Sequence, residues 1–201
     1  MWVLKLGGSL YHTPQLMPWL QAIADLASPP VVVPGGGPFA DSVRLAQKHL
    51  SFDNATAHRM AILGMEQMGH MLCSLQPGLQ GVADPDAMLT ALHNGKVPVW
   101  LPGAMTQDTS DLTMDWDVTS DSLAAWLAGQ LAADGVVLVK SAELESGEFP
   151  LTELQDQGVL DKGMLRHQNV QERPLWLMNR FLHDKLGALL SGTPDGCVSV
   201  I

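Results

Sequence analysis

The sequence predicts a three-layer α/β/α sandwich with a mainly parallel central sheet, formed by a single domain over residues 1–201. Short apolar and β-branched runs recur along the chain, and each has about the length of a buried strand. Longer segments with the 3.6-residue spacing of helices separate these runs. Such alternation implies crossover connections, parallel strands and helices on both faces of the sheet. A chain of 201 residues is long enough for one domain with a sizeable core.

Six apolar runs are predicted as strands because they are short, rich in Val and Leu, and bounded by turn-forming residues. They are Trp2–Leu6, Val31–Val33, Val97–Leu101, Val136–Val139, Leu175–Met178 and Cys197–Ile201.

Helical spacing is found between the strands. Methionines at this spacing in the third predicted helix favour a role in the core or at a subunit interface. Two segments rich in Gly, Pro, Thr and Asp, Gln76–Pro85 and Pro102–Asp117, are predicted as loops, and the second is long enough to be a substrate loop. The predicted helices lie around Leu16–Ala27, over Phe39–His49, over Ala55–Leu75 and over Ser122–Ala132.

Composition narrows the functional classes. Hydrophobic residues make up 46% of the chain and charged residues 16%, which argues against disorder. The net charge of −10 argues against a nucleic-acid partner, which would need a basic face. No apolar run approaches a membrane span, and the N-terminus lacks the features of a secretory signal, so we expect a cytoplasmic protein without a membrane partner. The seven histidines and two cysteines show no spacing typical of a metal site.

Two glycine clusters follow predicted strands. The first is Lys5-Leu6-Gly7-Gly8-Ser9, and the second is Gly35-Gly36-Gly37 in front of a predicted helix. Glycine backbone can approach phosphate oxygens closely, and a helix N-terminus adds partial positive charge. The pair therefore favours a phosphate site, while purely structural tight turns remain the alternative. The Walker A and GxGxxG patterns are absent.

Acidic residues precede the fourth predicted helix. Asp121 at its start has two possible roles that sequence spacing does not separate. It could be an N-terminal charge or cap of the helix. It could also orient lysine ammonium groups, or hold Mg²⁺ through water together with Asp117.

The order KLGGS, PGGG, an aspartate before an Ala-Ala helix, and a hydrophobic strand leading into a loop resembles the amino acid kinase family over nearly the whole chain. The C-terminal part is most similar to the uridylate kinases of that family. The stretch Ala57–Gln67 is more similar to an archaeal-type branch that phosphorylates aminomethyl-furan-methanol phosphate in methanopterin-type coenzyme synthesis. The resemblance implies a kinase that uses ATP and Mg²⁺, a small phosphorylated acceptor as substrate, and a homo-oligomer that is at least a dimer.

The resemblance also implies which residues carry the chemistry. Lys5 would contact the transferred phosphoryl group, and Asp121 would organise the catalytic lysines. Relatives have a second lysine in a GGMxxK motif, for which this chain has Asp161-Lys162-Gly163-Met164-Leu165-Arg166. Lys162 is therefore taken as the third catalytic residue, with Arg166 as the alternative second cation.

The remaining implied contacts are to the nucleotide and to the acceptor. Among the residues implied to bind the acceptor, His58 and Arg59 could equally be surface residues of their helix. If they do bind acceptor, His58 replaces an acidic nucleoside-contacting residue, which argues against UMP, and Arg59 could fork to a phosphate. The residues implied to bind the nucleotide are Gly7, Gly8, Ser9, Lys140 and Ser141. The residues implied to bind the acceptor are Gly35, Gly36, Gly37, His58, Arg59, Asp117 and Thr119.

The loop after Lys140 departs from the TDVDG or TKVDG pattern of relatives, since it reads Lys140-Ser141-Ala142-Glu143-Leu144-Glu145-Ser146-Gly147. This leaves two further alternatives open. The chain could phosphorylate another acceptor, such as an amino-acid carboxylate, UMP or isopentenyl phosphate. It could also be a non-catalytic relative that binds a nucleotide or an oxyanion.

Overall fold

The predicted three-layer sandwich is confirmed. The computed structural model of the chain describes residues 1–107, 109–142, 145–166 and 173–201, and of residues 165 and 166 it describes the backbone. In these ranges eight strands form one sheet with the order β3-β4-β2-β1-β5-β7-β8-β6, and only β7 and β8 pair antiparallel. The strands are β1 Trp2–Leu6, β2 Val31–Pro34, β3 Leu79–Val82, β4 Val97–Trp100, β5 Gly135–Lys140, β6 Gly147–Phe149, β7 Leu175–Asn179 and β8 Val198–Val200.

Helices cover both faces of this sheet. The long helices α2 and α3 follow β2 in sequence, and α6 leads into β5. Short 3₁₀ helices occupy Gly8–His12, Lys162–Arg166 and His183–Lys185. The α-helices are α1 Leu16–Ala24, α2 Gly37–Leu50, α3 Asn54–Leu75, α4 Pro85–His93, α5 Gly103–Thr106, α6 Ser120–Gln130, α7 Leu151–Asp156 and α8 Leu186–Leu190.

The alternation of side chains along β1 divides the interior into two cores. Val3 belongs to the core under α4, α6 and α7, whereas Leu4 and Leu6 belong to the core under α1 and α8. Successive strand residues point to opposite faces. Lys5 therefore faces the same layer as Val3, the layer that contains α6.

One of the two loop predictions was wrong. The segment Gln76–Pro85, predicted as a loop, contains β3, and α4 begins at its last residue. Strand β3 is only four residues long and lies at the edge of the sheet, and only its first and last residues are buried. Its apolar pattern is therefore too short to predict a strand. The segment Pro102–Asp117 contains the one-turn helix α5, and its other described residues have no regular secondary structure, as predicted for a loop.

The two glycine turns are in direct backbone contact. A Cβ atom on Gly8 would lie 2.4 Å from the backbone nitrogen of Gly37, and one on Gly35 would lie 2.3 Å from the nitrogen of Gly8. A Cβ on Gly7 would lie 2.8 Å from the carbonyl oxygen of Val139 on β5. The turns after β1 and β2 can approach this closely only because these positions lack side chains.

We expect the substitution Gly8→Ala to destabilise the fold by about 1–3 kcal/mol, because the new methyl group would overlap the backbone at the start of α2. Urea unfolding followed by circular dichroism measures the change. Gly78→Ala is the matched control, since its Cβ meets no atom closer than 3.4 Å and its φ lies outside the positive region. Equal stability of the two variants would contradict the tight contact between the turns.

Candidate active site

Two lysines and one aspartate form a largely buried cluster at the carboxyl edge of the sheet. Lys5 lies near the end of β1 and Lys140 at the end of the neighbouring strand β5, where Lys5 is in register with Leu138. Because Leu138 and Lys140 are two residues apart, both lysines face the layer of α6. Asp121 in the first turn of α6 meets them there.

The carboxylate of Asp121 is shared between the two ammonium groups. Oδ1 lies 2.8 Å from Nζ of Lys5, and Oδ2 accepts a hydrogen bond from Nζ of Lys140. The side chains of Lys5 and Asp121 are only 7% and 3% exposed, so water screens the contact weakly. Asp121 therefore pairs with both lysines, and its carboxylate does not cap its own helix.

The charges in this cluster shift one another's pKa. Burial alone would raise the pKa of Asp121, but the two nearby lysines outweigh burial and lower it. Burial and repulsion by Lys5 lower the pKa of Lys140, and attraction by Asp121 partly opposes this change. The cluster therefore has a firmly ionised carboxylate between two closely spaced cations, an arrangement suited to binding a further anion.

The cap of α6 comes from elsewhere in the chain. The carboxylate of Asp161 accepts hydrogen bonds from the backbone N–H groups of Thr119 (2.9 Å) and Ser122 (3.1 Å), and from both of their hydroxyls. Burial and the nearby Asp121 raise the pKa of Asp161, while these hydrogen bonds act in the opposite direction. Asp161 thus fills the capping role that the sequence left open for Asp121.

A cavity of about 280 Å³ lies next to the two glycine turns. Its wall is apolar where α3 and α6 contribute Ile62, Met65 and Leu123, and polar near the turns. A concave site of mixed character is typical of small-molecule binding. Its other lining residues include Gly8, Ser9, His12, Gly36, Gly37, Asp41, Arg44, His58, Trp116, Thr119 and Ser120.

Trp116 connects the loop before α6 to helix α2 at this cavity. Its indole N–H donates to Oε1 of Gln47 at 2.7 Å, and the guanidinium carbon of Arg44 lies 4.4 Å from the ring centroid. Arg44 also pairs with Asp41 at 2.8 Å. These contacts hold a partly exposed cation against an aromatic face at the cavity wall.

His58 is a buried, uncharged member of the cavity wall. It is 7% exposed, and its Nδ1 lies 3.3 Å from the carbonyl oxygen of Asp115. Burial lowers the pKa of His58, which the contact with Asp115 only partly offsets. If Nδ1–H donates to that carbonyl, the neutral ring leaves Nε2 as a hydrogen-bond acceptor.

The predicted site residues are only partly brought together. Lys5, Asp121 and Lys140 meet, and the hydroxyls of Ser9 and Ser141 are 2.8 Å apart. The glycines of both turns lie beside the cavity or in contact with one another. The assigned roles of these residues stay predictions.

Several other predicted residues lie apart from the cavity wall or have different contacts. Arg59 is exposed and is not among the lining residues, and Lys162 is exposed at the start of its 3₁₀ helix. Asp117 contributes its carbonyl oxygen to a hydrogen bond from Gly163, and the hydroxyl of Thr119 donates to Asp161. The side chain of Arg166 and residues 143 and 144 of the proposed nucleotide loop lie outside the described residues.

Sequence reasoning missed the position of Lys140 as a direct partner of Asp121. The signal was present, since Val136, Leu138 and Lys140 alternate onto one face of a strand next to β1. It also missed the contact of Arg44 with Trp116, because this contact forms only when the loop before α6 folds over α2. Asp161 carries no local signal, because its partners lie about 40 residues earlier in the chain.

No group of three or more His, Cys, Asp or Glu residues in the described ranges is arranged to hold a metal ion. Within the same ranges, no helix has the length and apolar character needed to cross a membrane.

A family model described as the amino acid kinase family matches residues 1–143. The chain belongs to this family. A curated relative, [5-(aminomethyl)furan-3-yl]methyl phosphate kinase from Methanocaldococcus jannaschii, is 27% identical over 154 residues, which cover 75% of this chain and 70% of the relative. The predicted resemblance to the amino acid kinase family is confirmed.

Solved structures of the family share the fold over their whole length. Uridylate kinase from Archaeoglobus fulgidus superimposes with a TM-score of 0.73 at 16% identity, covering 100% of this chain and 99% of the other. UMP kinase from Ureaplasma parvum gives 0.71 at 15% identity, covering 99% and 97%. Isopentenyl phosphate kinase from T. acidophilum, a product complex, gives 0.65 at 13% identity, covering 100% of both chains. At these identities the likeness shows the fold alone, and membership in the family supports a phosphotransferase.

We expect Asp121→Asn to destabilise the protein by about 3–5 kcal/mol at pH 7, because the buried ammonium group of Lys5 and the partly exposed one of Lys140 lose their shared counter-charge. The pKa of Asp121 is lowered from its ordinary value of 3.8 in the folded state. Its stabilising contribution is therefore present above about pH 3.8 and is lost as the pH falls through the folded value. Urea unfolding of wild type and variant should show a difference at pH 7 that shrinks under strongly acidic conditions.

Asp195→Asn is the control for this experiment, since Asp195 pairs with Lys185 at the exposed surface. Exposed ion pairs contribute little, so this change should leave stability almost unaltered. An Asp121→Asn variant as stable as wild type at pH 7 would show that the buried cluster is not held by the carboxylate charge.

Proposed function

We propose that the protein is an ATP-dependent kinase that transfers the γ-phosphoryl group to a small phosphorylated acceptor and thereby forms a diphosphate. The observation that carries this proposal is the pair of lysines around the buried Asp121, placed at the same sheet edge as two contacting glycine turns and a cavity. Phosphoryl transfer needs positioning and charge neutralisation more than covalent chemistry, and this arrangement supplies both.

Each part of the cluster has a defined task in this mechanism. Lys5 and Lys140 neutralise charge on the transferred group, and Asp121 fixes the position of both ammonium groups. Backbone N–H groups of the turn after β1 stabilise the same charge. The acceptor's phosphate would be held near Gly37, at the N-terminus of α2.

Nucleotide and Mg²⁺ enter this proposal through the family and the charge of the site. Lys140 and Ser141 lie at the end of β5, where the nucleotide would be held, and Ser141 is linked to the first glycine turn through Ser9. Bound Mg²⁺ would neutralise phosphate charge. Homo-oligomerisation remains a prediction, and exposed apolar side chains on α2 and α3, such as Leu45 and Leu63, offer surface for it.

For the acceptor, we propose a phosphomonoester with a small ring, such as the aminomethylfuran phosphate of the curated relative. Apolar walls and the indole of Trp116 suit a planar ring, and the buried, uncharged His58 offers a hydrogen-bond acceptor but no negative charge. Amino-acid carboxylates, UMP and isopentenyl phosphate are the alternatives to compare.

The direct test is ATP turnover with Mg²⁺ and a panel of acceptors: aminomethylfuran methyl phosphate, UMP, isopentenyl phosphate and an amino acid. We expect acceptor-dependent ADP release and a diphosphate product with the furan phosphate. Lys5→Met, which keeps the apolar stem of the side chain but removes its charge, should lower kcat by about 100-fold or more while the far-UV circular dichroism spectrum stays unchanged.

Two results would overturn the proposal. ATP binding without ADP release for every acceptor would favour a non-catalytic binding protein. Unaltered turnover by folded Lys5→Met would exclude Lys5 from phosphoryl transfer. A preference for another acceptor in the panel would keep the kinase and replace the proposed substrate.

Trp116 should affect acceptor binding more than the transfer step. Trp116→Ala removes the ring beneath Arg44 and the hydrogen bond to Gln47, so the acceptor KM should rise about tenfold while the KM for ATP stays unchanged. Trp116→Phe keeps an aromatic face but loses the indole N–H and should fall between wild type and Trp116→Ala. Steady-state kinetics with each substrate varied would measure this, and a rise confined to the KM for ATP would contradict the assignment.

A further inference from the structure

The first turn of α6 is held by a carboxylate that lies outside that helix. Two backbone N–H groups and two hydroxyls, all from Thr119 and Ser122, converge on Asp161 at 2.8–3.1 Å. These residues flank Asp121 on both sides in sequence. The position of Asp121 between its lysines therefore depends on a turn that Asp161 holds.

The cap of α6 differs from the usual one for a helix with a Thr at its N-cap position. The first N–H groups of a helix lack partners within it, and a Thr at the N-cap position would ordinarily accept one of them. Here the N-cap residue Thr119 makes no such bond, and its hydroxyl donates to Asp161 instead. Asp121, the acidic residue of the first turn, is engaged by Lys5 and Lys140.

The segment that carries Asp161 is fixed to its own surroundings. Its backbone carbonyl accepts a hydrogen bond from Nε2 of Gln155 at 2.6 Å. Two residues later, the N–H of Gly163 donates to the carbonyl of Asp117 at 2.7 Å, and a Cβ on Gly163 would lie 2.5 Å from that oxygen. The segment 161–163 therefore contacts the turn before α6 through the side chain of Asp161 and through the backbone of Gly163.

The negative charge of Asp161 does not by itself stabilise the folded state. Burial and repulsion by Asp121 raise its pKa, so the ionised form is disfavoured in the folded state. For an acid with a raised folded pKa, the contribution to stability falls as the pH rises through that value. At neutral pH the charge itself opposes folding, whereas its hydrogen bonds to Thr119 and Ser122 favour it.

We propose that Asp161 is a positioning residue for phosphoryl transfer: by capping α6 from outside, it holds Asp121 at the point where the carboxylate bridges Lys5 and Lys140. This proposal rests on the proposed kinase function. The hydrogen bonds carry the effect, and a neutral acceptor of the same shape should replace the carboxylate.

The test compares Asp161→Ala with Asp161→Asn. The alanine variant loses every acceptor, and a misplaced Asp121 should lower kcat about 10- to 100-fold, with acceptor KM changed less than about threefold. The asparagine variant keeps an oxygen in the place of Oδ2 for the two backbone N–H groups and the hydroxyl of Ser122, and its amide nitrogen, in the place of Oδ1, can donate to the hydroxyl of Thr119. It should recover most of the lost kcat.

Asp84→Ala is the matched control. Asp84 caps α4 by accepting from the N–H of Ala87 at 2.8 Å, and α4 contributes no residue to the candidate site. Removing this cap should lower stability by about 0.5–2 kcal/mol without a change in kcat. A fall in kcat of the same size in Asp84→Ala and Asp161→Ala would show that lost stability alone explains the effect.

Amide hydrogen exchange of residues 119–123 provides a readout that needs no activity. Asp161→Ala should accelerate exchange there and leave α4 unchanged, Asp161→Asn should stay near wild type, and Asp84→Ala should show the reverse pattern. Should the wild type lack kinase activity, the proposed function fails, and exchange alone decides whether Asp161 holds the turn. Unaltered exchange in Asp161→Ala, or equal losses of kcat in the alanine and asparagine variants, would overturn the proposal.

Discussion

The ion pairs of Asp121 with Lys5 and Lys140 determine where the first turn of α6 lies against strands β1 and β5. Two largely buried cations on adjacent strands would repel each other, and each would be costly to remove from water. One carboxylate between them reduces both costs and fixes the direction of each ammonium group. The sheet brings the lysines together, and α6 has to present its first turn at that point.

This constraint explains the way in which the helix is capped. A carboxylate in the first turn commonly interacts with the N–H groups of its own helix. Because Asp121 is committed to the lysines, those N–H groups need another acceptor, and Asp161 provides it. The two aspartates divide between them two tasks that a single residue often performs, and the short segment after α7 is thereby tied to the candidate active site.

Patterns within single elements were predictable, whereas contacts between distant segments were not. The apolar runs predicted β1, β2, β4, β5 and β7 to within about a residue or two at each end, because buried parallel strands are continuously hydrophobic. The edge strands β3 and β6 were missed because short, partly exposed strands lack that signal. At the site, Lys5 and Asp121 could be chosen from sequence. The convergence of Asp161 on Thr119, and of Trp116 on Arg44, depends on tertiary folding and leaves no pattern in the chain.

The contact between Gly8 and the turn at Gly35 and Gly37 has a consequence for how such proteins diversify. Because backbone touches backbone there, the spacing between the two turns is set without any side chain that substitution could lengthen or shorten. Under the proposed function, that spacing determines how far apart the donor and acceptor phosphates lie. Arg44, His58 and Trp116 lie elsewhere on the cavity wall. Changes at these three positions could alter which molecule is accepted while the geometry of transfer is inherited intact.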